Sequence, residues 1–108
     1  MRFRRYGELV MYKIIFTKQA LNDLEKLKKA GISANAKKLV DVIRENPYQN
    51  PPRFEKLVGK VDGLLSRRIN IQHRLVYQIF TEPFTEGETN YQGIIKIIRM
   101  WTHYDGMR

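Results

Sequence analysis

Few side chains in this sequence can do covalent chemistry. There is no cysteine, which removes disulfides, thiolate zinc sites and a cysteine nucleophile together. The two histidines, His73 and His103, lie far apart and stand in no His-x-x-x-His or Glu-x-x-His spacing, so neither a metal nor a cofactor is expected. Candidates for acid–base work and charge remain, among them a loop glutamate such as Glu55, a strand arginine such as Arg74, and His103 followed by Tyr104 near the C-terminus. Residues of these types could serve the cleavage of RNA. RNA can be cut without metal because its own 2′-hydroxyl attacks the neighbouring phosphate. A protein need add only a base for the hydroxyl, positive charge for the phosphorane, and an acid for the leaving 5′-oxygen.

Taken singly, each residue has a plainer explanation. A loop glutamate is usually a solvated surface charge, and a strand arginine is more often in a salt bridge than on a phosphate. A histidine beside aromatics, as in Trp101-Thr102-His103-Tyr104, is commonly a packed structural residue, although histidine as a type exchanges protons near neutral pH. Tyr104 reads as core or rim by default, and an exposed ring there could stack on a splayed base.

Charge narrows the partners. The chain carries 20 Lys and Arg against 11 Asp and Glu, a formal charge of +9, and a field of that sign attracts polyanions. The excess is concentrated between positions 53 and 74, where Arg53, Lys56, Lys60, Arg67, Arg68 and Arg74 face only Glu55 and Asp62. A nucleic-acid surface fits this, as does a basic face that keeps the protein soluble or meets an acidic protein. At 108 residues there is room for one domain and no separate cofactor module. No apolar run approaches the roughly 18 residues of a membrane span. The arginines at positions 2, 4 and 5 precede no signal-peptide core, so a cytoplasmic protein with no membrane partner is expected.

The elements that must hold these residues follow from periodicity. Tyr12–Phe16 reads as a strand running into Thr17, a good N-cap, and a helix over Lys18–Ala30 with Ala20, Leu21, Leu24 and Leu27 on its apolar stripe and Gly31 as its stop. A second helix starts at Ser33, buries Ala36, Leu39, Val40 and Ile43, and ends at Asn46-Pro47. Positions 47–63 form a long ordered loop or a disguised edge segment. Leu64–Ile71 and Arg74–Phe80 are strands about a turn at Asn70-Ile71-Gln72, Thr81–Gly93 is a polar surface connection, and Ile94–Trp101 is a central strand buried on both faces. The order is β-α-α-β-β-β. The fold class is therefore α+β, a small, mostly antiparallel sheet with an N-terminal helical hairpin on one face and a basic groove on the other.

Ser66-Arg67-Arg68-Ile69, then His73-Arg74-Leu75-Val76-Tyr77, then a terminal His103-Tyr104 after a hydrophobic strand, is a pattern that resembles the YoeB/Txe toxins within the RelE-like superfamily. The resemblance covers nearly the whole chain from Met11 onward, up to a continuation past His103-Tyr104 at Asp105–Arg108, so 11–108 is the expected single toxin domain and 1–10 either an N-terminal extension or the result of an upstream start codon. It implies ribosome-dependent endonucleolytic cleavage of messenger RNA by a toxin of a type II toxin–antitoxin system. It also implies site roles. The family's glutamate lies eleven residues before its Ser-Arg-Arg motif, which is Glu55 here. Glu55 would be the general base, Arg74 the phosphate stabiliser and His103 the general acid, with Tyr104 helping to hold substrate. Arg67, Arg68, Lys56 and His73 would bind substrate or support the site. The implied partners are the ribosome, messenger RNA and a Phd/YefM-type antitoxin whose acidic C-terminal segment covers the groove, with Leu65 and Trp101 as apolar anchors.

Several departures stand out. Many relatives have Lys-Pro-Glu-Pro-Leu around the glutamate, whereas Arg53-Phe54-Glu55-Lys56-Leu57 flanks it with two cations. A close cation weakens a carboxylate as a base, but neighbours in an extended segment point to opposite sides. Leu65 replaces the aromatic before Ser-Arg-Arg, and Thr81–Gly93 is longer than usual. Two other readings remain open: a ParE-like toxin that binds DNA gyrase without RNA chemistry, and a non-catalytic RNA- or ribosome-binding module.

Overall fold

Thr17 sets the first junction. In the computed structural model, which describes residues 11–57 and 63–101, strand β1 (Met11–Phe16) ends where the Thr17 hydroxyl accepts the Ala20 amide and opens helix α1 (Lys18–Lys29). Gly31, at φ 75°, supplies the left-handed turn into helix α2 (Ser33–Glu45). Ser33 begins that helix without capping it, since its N-cap is Ile32 and makes no side-chain cap bond. The α2 stripe is as expected, with Ala36, Leu39, Val40 and Ile43 all buried. On α1 the stripe differs. Leu21 is 49% exposed, and Asp23 lies buried with Ala20 and Leu27.

Five further strands follow: β2 (Phe54–Lys56), β3 (Leu64–Arg68), β4 (Arg74–Phe80), β5 (Phe84–Glu86) and β6 (Thr89–Arg99). They form one sheet in the order β1-β6-β4-β3-β2, with β5 on β6, and every pairing is antiparallel except β1 with β6. The segment 47–63 thus contains an edge strand. The expected surface connection at Thr81–Gly93 is instead a hairpin: β5 turns at Gly87, at φ 61°, and β6 starts at Thr89. Polar composition and Pro83 hid it, because a two-residue turn needs little apolar periodicity around it. Gly93 is required where the strands cross closely, since a Cβ there would collide with the Phe80 carbonyl.

One face of the sheet carries Tyr12, Leu65, Leu75, Tyr77, Ile95 and Ile97 into the helices, where they close the core with Leu27, Ile43 and Met100. Strand β6 is central but not buried on both faces: Gly93, Ile95 and Ile97 are buried and the residues between them only partly so. A strand with helices on one side alternates this way. Period two then assigns the opposite face to Glu55, Ser66, Arg68, Arg74 and Val76.

Candidate active site

Strand register brings the chemistry together. Glu55 pairs with Ser66 across β2 and β3, and Arg68 pairs with Arg74 across β3 and β4. Residues opposite one another, or two apart on a strand, share a face, so Glu55, Ser66, Arg68 and Arg74 line one cleft of about 200 Å³ with Pro52 and Arg53. Within it Arg74 Nη1 stands 3.5 Å from a Glu55 carboxylate oxygen and donates to the Ser66 hydroxyl at 3.3 Å. Arg68 reaches the Ile71 carbonyl at 3.4 Å, which leans it over the β3–β4 turn. Asn70 shapes that turn, its side-chain oxygen accepting the amides of Gln72 and His73. Three arginines against one glutamate give the cleft a strong positive bias, suited to a phosphodiester.

Arg67 takes no part in that cleft. At 1% exposure it faces the core, where Nε donates to the Tyr77 hydroxyl at 2.9 Å, Nη2 to the Pro47 carbonyl at 3.0 Å and Nη1 to the Pro52 carbonyl. The Tyr77 hydroxyl donates in turn to Pro47 at 2.9 Å, and the guanidinium lies 4.9 Å from the Phe54 ring centre. Burial pushes the Tyr77 hydroxyl above the ordinary phenol value, with Arg67 pulling it back in part. Direct RNA contact by Arg67 is thereby corrected to a supporting role. It pins both ends of the 47–52 loop, and that loop delivers the β2 edge carrying Glu55. Strand alternation in Ser66-Arg67-Arg68 held this signal, because only one of two adjacent arginines can face a given side.

Lys56 and His73 lie outside the lining of that cleft. Lys56 points with Phe54 to the side opposite Glu55 and borders a separate depression with Tyr48 and Leu65. His73 is 4% exposed and stacks on Trp101, with ring centres 4.1 Å apart, outside the cleft that Arg74 lines. His103 and Tyr104 lie outside the described residues. Arg53 and Ser66 in the cleft were not singled out as site residues from sequence, although both flank or belong to the motifs that were. Nor was the buried pair formed by Asp23 and Arg99, with Nε to Oδ2 at 2.8 Å. Among the described residues no cluster of three or more histidine, aspartate or glutamate side chains is placed to hold a metal ion, and no helix is long and apolar enough to cross a membrane.

Residues 16–104 match the family model of the YoeB-like toxin of bacterial type II toxin–antitoxin systems. Among solved structures the chain is similar to the YoeB/ParE toxin from Agrobacterium tumefaciens, with 24% identity and a TM-score of 0.68 over 85% of this chain and 99% of that one. It is also similar to the YoeB dimer from Staphylococcus aureus, with 29% identity and a TM-score of 0.64 over 86% and 98%. The YoeB–YefM complex from the same organism matches at 28% identity and a TM-score of 0.61 over 86% and 98%. No curated protein sequence matches the chain.

Proposed function

Because the chain belongs to the YoeB-like toxins of bacterial type II toxin–antitoxin systems, we propose that it is an endoribonuclease that cuts messenger RNA on the ribosome and so arrests translation. The observation that carries this is the Glu55–Arg74 pair, 3.5 Å apart in the lining of a cleft that also holds Arg53 and Arg68. An RNA phosphate entering the cleft competes for Arg74 and draws it from the carboxylate, leaving Glu55 to take the proton of the 2′-hydroxyl. Arg74 and Arg68 then bear the negative charge that builds on the phosphorane. By the family resemblance His103 protonates the leaving 5′-oxygen and Tyr104 holds the substrate beside it. Each proton has a side chain to carry it, so the mechanism calls for no metal. A messenger-RNA target implies a cytoplasmic protein.

Such an enzyme must be restrained by its antitoxin. We take that partner to be of the Phd/YefM type, with an acidic C-terminal segment that lies in the arginine-lined cleft and excludes RNA. The direct test of function is to map messenger 5′ ends after brief induction. Cuts inside translated codons, locked to the reading frame and absent when translation initiation is blocked, are expected. Growth arrest with intact messages would instead favour a target such as DNA gyrase.

A further inference from the structure

Phe54 and Lys56 stand where many relatives carry proline on either side of the glutamate. Both neighbour Glu55 on β2, so strand alternation turns them to the face away from the cleft. There Lys56, itself exposed, borders a depression of about 340 Å³ lined also by Tyr48, Leu57, Leu65 and Ile79. Tyr48 is 50% exposed, and its ring meets that of Phe54 at 64° with centres 6.4 Å apart. The backbone that carries it is held: the Tyr48 amide donates to Asn46 Oδ1 at 3.0 Å, and the Pro47 carbonyl accepts from both Arg67 and Tyr77. An exposed ring thus stands on a fixed support.

A ring beside a cation answers the two parts of a nucleotide. Any base has a flat face that stacks on an exposed aromatic side chain, and a lysine next to it meets the phosphate. Space is sufficient, since a cavity of about 150 Å³ already takes a benzene ring. Strand β2 ends the sheet, with no strand beyond it among the described residues. An RNA strand held in the cleft at Glu55 therefore has a short path over this edge to Lys56, the next residue along β2. We propose, resting on the ribonuclease reading above, that Tyr48 and Lys56 form a second subsite. In it a nucleotide of the message flanking the cleaved bond stacks its base on Tyr48 and sets its phosphate against Lys56.

Affinity for single-stranded RNA tests this, measured at low salt on the full chain inactivated by Glu55→Ala. Two probes are used, a dinucleotide too short to cross β2 and an RNA of about ten nucleotides, within the usual span of such sites. Tyr48→Ala should weaken binding of the longer RNA by about 5-fold to 10²-fold, the cost of a lost stacking contact, whereas Tyr48→Phe keeps the ring and the affinity. Lys56→Ala should flatten the slope of log K against log salt by about 0.7, one phosphate contact on a single strand, and Lys56→Arg should restore it. The dinucleotide should bind all these variants alike. On ribosomes, iodouridine placed in the message beside the cut codon should photocross-link to Tyr48 of the inactive chain. Unchanged affinity of Tyr48→Ala for the longer RNA overturns the proposal, as does an equal loss for the dinucleotide, which would mean a disturbed cleft. Antitoxin affinity that falls while RNA affinity holds would give the depression to the protein partner, and losses without the cross-link would give it to ribosomal RNA; either result overturns the assignment to the message. If the wild-type chain cuts no RNA while the predicted losses and the cross-link appear, the ribonuclease reading fails and the subsite stands as a binding site. If it cuts messages and the losses are absent, the subsite alone fails.

Discussion

A carboxylate and a guanidinium 3.5 Å apart satisfy one another until a stronger anion claims the cation. This makes Glu55 and Arg74 interdependent: neither is fully available before substrate arrives. Glu55→Ala, Arg74→Ala and His103→Ala should each lower single-turnover cleavage by roughly 10²-fold or more, the usual contribution of a positioned acid, base or charge. Lys96→Ala, on β6 outside the cleft, should change the rate little. Wild-type cleavage by the His103 variant, with the other two inactive, would assign the acid step to another group. The Glu55–Arg74 pairing was within reach of the sequence through motif spacing. The burial of Asp23 was not, because an aspartate on an amphipathic helix reads as part of the solvated face until its partner on β6 is known.

At the scale of elements, the loop from Pro47 to Pro52 and the strand it feeds depend on one buried guanidinium. Arg67→Met keeps the length and apolar bulk of the side chain but strips donors from the Tyr77 hydroxyl and from the carbonyls of Pro47 and Pro52. A charge-assisted hydrogen bond is worth about 1.5–3 kcal/mol, so a loss of roughly 3 kcal/mol or more is expected in denaturant unfolding. Binding to RNA should keep its salt dependence, since a buried cation releases no counterions. Wild-type stability with a weaker salt dependence would return Arg67 to the RNA surface. The helices were legible because three-to-four spacing of Ala36, Leu39, Val40 and Ile43 is hard to mistake, as was the strand Arg74–Phe80. The β5–β6 hairpin was not. Its short first strand pairs only with the start of β6, and Phe84 stacks on Tyr91 at 5.1 Å, a cross-strand contact invisible without the register.

For the whole molecule, a charge of +9 with three arginines in one cleft makes encounter with an acidic partner fast and salt-sensitive. Leu65 cannot anchor that partner, being 4% exposed on the helix side. Ile71, 92% exposed on the β3–β4 turn, is an apolar residue beside Arg68 of the cleft. Arg53→Glu with Arg68→Glu should slow association with the antitoxin roughly tenfold or more at low salt, and stopped-flow binding would show it. An unchanged rate would move the contact elsewhere. If this chain cuts RNA by letting the 2′-hydroxyl attack, the ends of the fragments record that choice of nucleophile. End-group analysis of messages cleaved by the wild-type protein on ribosomes should find 5′-hydroxyl termini facing 2′,3′-cyclic phosphates. Fragments bearing 5′-phosphate and 3′-hydroxyl ends would mean that water was the nucleophile and would contradict the assigned roles of Glu55, Arg74 and His103.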